Sequence, residues 1–385
     1  MDTKDVGPHA RVPALDGLRG VAILLVLFFH FTNLGRLILV AQRVGGVQGA
    51  LGILAWNAAL SGWAGVDLFF VLSGYLITGI LLQEKGRPRF FRRFYARRAA
   101  RILPLYYVFL AGYAVVLLVV GSTAKLGALV WPLLYATNIP LGLFGDGAIP
   151  HEIQCLWSLA IEEQFYLVFP LIIVAVSRPW LRAICVLGVL VALAFRFAMR
   201  PDFPLVAFLT PSRFDGLLVG AFLATVLGSS ASTDPAIVRG TRIGLAIASV
   251  VFGAFLVWRG GLPPQDAIVD VFGRLPLILF FGALVAGCVA LPGSVLARVL
   301  ELAPLRFFGR YSYAMYMLHM AVMAGLFKLH IGIGRLTTLT GSLVVGYLAF
   351  LTIATALTAF ASLVSYYVLE RPFLALRDRS LAAHG

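Results

Sequence analysis

The chain has 385 residues, of which 61% are hydrophobic and only 12% are charged, whereas soluble globular domains carry about a quarter of charged residues. Apolar stretches of about 20 residues recur along its length, and each can cross a hydrocarbon core about 30 Å thick. This composition excludes a soluble protein and predicts an all-α, polytopic integral membrane protein. Three scattered cysteines are too few for a disulfide framework or a metal site, so no metal is expected.

The first apolar stretch, 14–34, is too long for the h-region of a signal peptide, so we interpret it as a retained span. A further apolar segment, 126–143, is short and is broken by Pro132 and Pro140, which predicts a re-entrant or interfacial segment. About ten transmembrane helices are predicted in all. They cover residues 14–36, 62–82, 102–121, 157–177, 183–199, 212–228, 242–258, 275–291, 307–327 and 341–369.

The positions of the basic residues support this number of spans. With ten spans and a cytoplasmic N-terminus, most arginines fall in cytoplasmic loops, as is typical of membrane proteins. They include Arg92, Arg93, Arg97, Arg98, Arg178, Arg182, Arg239, Arg242, Arg298, Arg306 and Arg371. An additional span at 126–143 would place the later ones outside. We therefore explain the net charge of +14 by topology rather than by nucleic-acid binding, and expect both termini in the cytoplasm.

The first span carries charged and titratable side chains at helical spacing. Arg19 and His30 are eleven residues apart, which places them on one face and about 16 Å apart along the axis. A charge inside a span is costly unless it is partnered, so Asp16, Arg19 and His30 indicate a polar path along this helix. The alternative is that Arg19 reaches the membrane interface and His30 makes a structural hydrogen bond.

The second span contains Asp67, Ser73 and Gly74, and a buried carboxylate needs a basic partner on a neighbouring helix. The serine and the glycine are equally compatible with helix packing. The loop before the third span repeats arginine at helical spacing, so Arg97 and Arg101 share a face. Arginines suit phosphate groups, although topology alone also explains most of this cluster.

Later spans add further polar groups. Glu162, Glu163 and Gln164 open the fourth span, where they either bind a polar acceptor and orient a catalytic group or favour the helix dipole. Downstream, Arg213 and Asp215 lie in one span. Tyr313, Tyr316 and His319 lie in another, where the histidine could equally be an interhelical donor.

Taken together, these residues resemble the acyltransferase-3 family of membrane O-acyltransferases, over essentially the full chain. The motifs that carry the resemblance are Arg19 with His30, residues 65–75 (GVDLFFVLSGY), residues 95–104 (YARRAARILP), residues 157–166 (WSLAIEEQFY), residues 311–319 (YSYAMYMLH) and residues 370–372 (ERP). The resemblance implies transfer of an acyl group from cytosolic acyl-CoA to a hydroxyl on the outer side of a bacterial inner membrane. Many members carry a second, esterase-like domain. The sequence given stops at Gly385 without one, so we expect that the membrane domain, 1–385, or a partner binds the acceptor.

In this interpretation His30 is the general base and Arg19 helps to hold the coenzyme. The catalytic candidates are His30, Asp67, Glu162 and Glu163, with Asp67 or one of the glutamates orienting the imidazole. The donor-binding candidates are Arg19, Ser73, Tyr75, Arg97, Arg98 and Arg101, and the acceptor-binding candidates are Trp157, Tyr166, Arg213, Asp215, Tyr313 and His319.

The expected donor is acetyl-CoA, and the expected acceptor is a glycan or a glycosylated small molecule. A polar-solute transporter or flippase could use the same buried charges, but we find no inverted repeat in the sequence. The sequence leaves open the acceptor, the acyl chain and whether the protein forms a homo-oligomer.

Overall fold

The computed structural model describes residues 12–33, 35–201, 205–228, 231–264 and 266–383. Over these ranges the protein is 85% helical and has no strands, which confirms the predicted all-α class. The α-helices are α1 (Pro13–Asn33), α2 (Leu37–Val44), α3 (Gly46–Leu60), α4 (Ala64–Glu84), α5 (Phe90–Val119), α6 (Val130–Leu133), α7 (Asn138–Phe144), α8 (Leu156–Ala175), α9 (Arg178–Met199), α10 (Thr210–Val226), α11 (Pro235–Arg259), α12 (Arg274–Ala290), α13 (Val295–Leu300), α14 (Ala303–Arg310), α15 (Ser312–Lys328), α16 (Ile333–Thr340), α17 (Leu343–Ser365) and α18 (Arg371–Ala383).

The described residues contain eight to ten helices long and apolar enough to cross a membrane. Eight are continuous stretches, each of which overlaps a predicted span: Pro13–Thr32, Gly46–Glu84, Phe90–Val119, Leu156–Ala175, Arg178–Met199, Pro235–Arg259, Val269–Ala290 and Leu343–Arg377. The second stretch begins with α3, which lies outside the predicted spans. The span predicted at 212–228 is α10, whose 17 residues reach about 25 Å, near the lower limit for a crossing helix. The span predicted at 307–327 is α15, which continues into α16 through a bend of 54°.

The segment predicted to be re-entrant folds as two short helical pieces. Thr123–Leu133 and Asn138–Phe144 meet at a bend of 115°, so the second piece turns back from the direction of the first. The side chains of Asn138, Gln164 and Thr210 hydrogen-bond to one another at 2.5–3.0 Å and thereby fasten this segment to α8 and α10. Irregular backbone at membrane depth is stable when it is held inside protein in this way, so the geometry agrees with a re-entrant segment.

The arginine-rich segment before the third span was predicted as a loop, and that prediction is wrong. Residues 90–101 are the first turns of α5, which has 30 residues and is therefore about 45 Å long. Alanine and arginine favour helix, and neither glycine nor proline interrupts the run before Pro104. Because α5 is about 15 Å longer than the hydrocarbon core, its arginine turns extend beyond the apolar region.

Glycines set the closest helix contacts around the centre of the bundle. The Cα of Gly74 on α4 lies against the backbone carbonyl of Leu217 on α10, and Gly220 on α10 lies against the carbonyl of Val71. A β-carbon at either glycine would collide with that carbonyl. On α14, Gly309 meets the backbone of α1 in the same way. Gly74 therefore serves helix packing, which was one of the two interpretations left open for it, and these contacts fix α1, α4 and α10 at the positions from which their polar side chains meet.

Candidate active site

A cavity of about 260 Å³ lies between α1, α4, α5, α8 and α15, and three arginines line it. Arg19 comes from α1, and Arg98 and Arg101 come from consecutive turns of α5. The guanidinium of Arg98 lies 3.9 Å from the centre of the Tyr166 ring, a cation–π contact that holds it in the wall. Three positive charges in the wall of a small cavity make it suitable for an anionic group such as a phosphate.

Glu162 provides a carboxylate in the same wall. Its Oε1 accepts a hydrogen bond from Ser73 at 2.8 Å, and its Oε2 accepts one from the hydroxyl of Tyr166 at 3.2 Å. On α8, Ser158, Glu162 and Tyr166 follow one another at four-residue spacing, which explains why all three line the cavity. Glu163 is turned about 100° away along the helix and is not among the lining residues.

Two tyrosines of α15 also line the cavity. Tyr313 donates its hydroxyl to the carbonyl of Ile102 at 2.7 Å, and Tyr316 donates to the carbonyl of Cys155 at 3.0 Å. Because the one hydroxyl hydrogen of Tyr316 is used there, the hydroxyl of Ser158, 2.7 Å away, is the donor of that contact. Tyr316 is thus fixed between the arginine cavity and the residues behind it on α15.

A pair of histidines lies behind Tyr316. The rings of His30 and His319 meet edge to face with their centres 4.8 Å apart. The Nδ1 of His30 lies 2.9 Å from the carbonyl oxygen of Val26, and the Nδ1 of His319 lies 2.7 Å from the carbonyl oxygen of Tyr316. A carbonyl can only accept, so each Nδ1 carries the hydrogen and each Nε2 keeps a basic lone pair when the ring is neutral. His319 is fully buried, whereas His30 is partly exposed and is the more accessible base.

The Nδ1 of His30 is held by the main chain of its own helix, and within the part of the chain that the structure describes no carboxylate hydrogen-bonds to this nitrogen. Asp67 is occupied elsewhere: its carboxylate lies 3.0 Å from Arg213 and 3.4 Å from Arg274. Arg274 also pairs with Asp270 at 2.9 Å. The basic partner predicted for Asp67 on a neighbouring helix is therefore present and is an arginine, and the orienting function suggested for Asp67 is not supported by these contacts.

Three of the acceptor-binding candidates, Trp157, Arg213 and Asp215, belong to the same network of buried charges. Asp215 lies 2.6 Å from Arg196, and Arg213 lies 5.2 Å from the centre of the Trp157 ring. Arg196, Arg213 and Asp215 are almost completely buried, so loss of the partner of any one of them would leave an uncompensated buried charge. Sequence reasoning missed Arg196, Asp270 and Arg274. The four-residue spacing of Asp270 and Arg274 within an apolar span was the available signal.

The remaining donor-binding candidates divide between two places. Arg97 lies 3.6 Å from Glu84, outside the arginine cavity, so Arg98 rather than Arg97 joins Arg101 there. Tyr75 lines a neighbouring cavity of about 580 Å³ that also contains Arg19. The two cavities share Arg19 and adjoin along α4.

Residues 12–367 match the sequence profile of the acyltransferase-3 family, which is described as an acyltransferase domain. The chain therefore belongs to this family of acyltransferases. The match includes the arginine cavity and both histidines, and it confirms the resemblance that the motifs indicate. No solved structure matches the chain significantly.

Three relatives illustrate the family. YrhL of Bacillus subtilis, provisionally named a peptidoglycan O-acetyltransferase, is 31% identical over 82% of this chain and 49% of its own length. The peptidoglycan O-acetyltransferase OatA of Listeria monocytogenes is 29% identical over 81% of this chain and 49% of its own length. A Staphylococcus aureus protein, provisionally named an O-acetyltransferase, is 27% identical over 94% of this chain and 57% of its own length. The chain thus spans about half the length of the relatives that it matches.

Proposed function

We propose that the protein is a membrane O-acetyltransferase that moves an acetyl group from acetyl-CoA to a hydroxyl of peptidoglycan or of another cell-envelope glycan. The observation that carries this proposal is the order of groups in the bundle. Three arginines and Tyr316 line one cavity, the ring of Tyr316 contacts His319, and His319 pairs with His30. A binding site for an anion is thereby joined to a basic nitrogen within one bundle.

The arginine cavity would hold part of the donor. Its volume of about 260 Å³ lies below the range of about 300–1,000 Å³ that drug-sized ligands require, so a whole coenzyme A does not fit in it. The adjoining cavity of about 580 Å³ has room for the remainder. Arg19, common to both, would contact the donor where it passes from one to the other, while Arg98 and Arg101 neutralise its phosphates.

His30 would act as the general base. Its Nε2 takes the proton of the acceptor hydroxyl, the oxygen attacks the thioester carbonyl carbon, and the carbon–sulfur bond breaks. The thiolate then recovers the proton from the imidazolium and leaves as free coenzyme A. Such proton transfer typically contributes about 10²–10⁴-fold to a rate. The carbonyl of Val26 fixes the tautomer that this step needs, and the ring of His319 limits the rotation of His30.

The acceptor would approach from the end of α1 that carries His30. Arg19 and His30 lie about 16 Å apart on this helix, about half of the hydrocarbon thickness. With Arg19 on the cytoplasmic side, as the arginine distribution predicts, the donor and the acceptor would reach the base from opposite sides. The names of the Bacillus and Listeria relatives support a peptidoglycan acceptor, and a bacterial plasma membrane is the corresponding location.

The test uses purified protein in liposomes with radiolabelled acetyl-CoA on one side and soluble peptidoglycan fragments on the other. We expect labelled O-acetyl ester on the fragments and free coenzyme A in equal amount. Uptake of an intact solute without ester formation would instead favour the transporter alternative. Ester formation on a different glycan but not on peptidoglycan would retain the acyl transfer and replace the acceptor.

A further inference from the structure

A third, larger cavity lies on another side of the bundle, between α9, α10, α11 and α12. It has a volume of about 850 Å³, and its walls are almost entirely aliphatic. The space is open along its side, since Val186, Ile247 and Val251 on its walls are about half exposed, so it is a groove in the surface of the bundle that hydrocarbon of a bilayer can fill. Water is unsuited to it because the walls offer few polar partners. The occupant must therefore be apolar.

The helix α11 is held at both ends, since Ile237 near its start packs against the small cluster of Leu227, Ala231, Ala286 and Ala290. Its later turns pack on α12, where the rings of Phe252 and Phe280 stack with their centres 5.1 Å apart. Its earlier turns present Gly240 and Gly244 to the cavity, and a β-carbon added at either glycine would meet no atom of the described residues within 4 Å. A groove with smooth, small-residue walls is thus formed along the first half of α11.

The dimensions of the groove match one hydrocarbon chain. Its wall on α11 runs from Ala236 to Val251, a rise of about 22 Å, and its wall on α12 runs from Pro276 to Ala286, about 15 Å. One leaflet of a bilayer has a hydrocarbon thickness of about 15 Å, half of the full core. The groove is therefore long enough for a lipid tail of one leaflet.

Arginines mark the end of the groove at which a headgroup would lie. Arg178, Arg182, Val186 and Leu190 follow one another on α9 at four-residue spacing, and the last two line the groove. Arg182 donates hydrogen bonds to the hydroxyl and the carbonyl of Thr225, next to lining residues of α10. Two exposed arginines thus lie just beyond the groove, on the face that leads into it.

From this geometry we propose that the groove binds an anionic glycerophospholipid, with a tail along α11 and the phosphate at Arg178 and Arg182. Basic residues at the membrane surface attract anionic headgroups, and apolar walls accept any tail. The arginines would therefore select lipids with an anionic headgroup, and the apolar groove would bind the tail of any lipid. Leu227 lines both this groove and the cavity that contains Arg19, so the lipid would adjoin the proposed donor site without belonging to it.

Native mass spectrometry of delipidated protein, titrated with phosphatidylglycerol or phosphatidylcholine, tests the proposal. We expect wild type to bind phosphatidylglycerol more tightly. Arg182→Gln should weaken that binding about fivefold, which corresponds to about 1 kcal/mol for one arginine, and leave phosphatidylcholine unchanged. Gly244→Phe should abolish binding of both lipids because its ring enters the groove, and Ala248→Phe serves the same purpose if the first variant does not fold.

The matched control is Arg242→Gln. Arg242 lies two residues from both Gly240 and Gly244, on the opposite face of α11, and should have no effect although it removes the same charge near the same end. Equal binding of the two lipids by wild type would overturn the proposal. So would an equal effect of Arg182→Gln and Arg242→Gln, or full lipid binding by both groove-filling variants.

Discussion

Replacing Asp67 by asparagine separates a structural function of this carboxylate from a catalytic one. The substitution keeps the size of the side chain and removes the charge that faces Arg213 at 3.0 Å and Arg274 at 3.4 Å. All three side chains are buried, so water cannot replace the lost counter-charge. Breaking a buried ion pair from one side costs about 3–5 kcal/mol, a large share of a typical stability of about 5–15 kcal/mol.

The assay is a heating series of detergent-solubilised protein followed by size-exclusion chromatography. We expect Asp67→Asn to lose its monodisperse peak at a clearly lower temperature than wild type. The double variant Asp67→Asn/Arg213→Met should recover part of the loss, because it no longer buries that unpaired guanidinium. Asp234→Asn is the control: Asp234 caps α11 at the surface, where asparagine caps equally well, so no change is expected. An Asp67→Asn protein with wild-type thermal stability and no turnover would refute the structural function and favour catalysis.

Three further predictions follow from the site and the fold. Arg101→Ala should weaken acetyl-CoA binding about tenfold or more in a calorimetric titration, whereas Arg97→Ala, whose partner is the part-exposed Glu84, should change it by less than about twofold. Equal effects of the two substitutions on acetyl-CoA binding would contradict the finding that Arg101 lines the cavity and Arg97 does not. Tyr316→Phe should lower kcat about fivefold with an unchanged KM for the donor, because the lost hydroxyl is worth about 1 kcal/mol and positions the turn that holds His319. A rise in KM alone would place Tyr316 in donor binding instead. A cysteine at Gly145, in a background without the native cysteines, should react with an impermeant reagent added outside intact cells, whereas reaction only after permeabilisation would contradict the re-entrant segment.

The membrane class and most of the spans could be predicted because hydrophobicity acts locally along the chain. The same locality explains the error at 90–101. Polarity alone assigns these arginines to a loop, whereas their helix propensity extends α5 beyond the apolar region. The sharp bend near Pro132 and Pro140 could be anticipated, since proline removes the hydrogen bonds that a straight span requires.

The candidate site could be predicted only where spacing along one helix decides the outcome. Ser158, Glu162 and Tyr166 share a face of α8 by their spacing, so their meeting in one cavity follows from the sequence. The pairing of His30 with His319 does not, because it depends on how two distant helices pack. For the same reason, sequence could not distinguish a buried charge that pairs within the protein from one that faces a ligand.

The central claim is that His30 acts in the chemical step while Arg19 holds the donor. The most direct measurement compares acetyl-CoA binding and single-turnover acetyl transfer for His30→Ala and Arg19→Ala, each as monodisperse protein in liposomes. We expect His30→Ala to bind the donor as wild type does and to transfer at least about 100-fold more slowly, and Arg19→Ala to bind it at least about tenfold more weakly. Well-folded His30→Ala protein that keeps substantial turnover would contradict this assignment, and catalysis would then have to rest on His319 or Glu162.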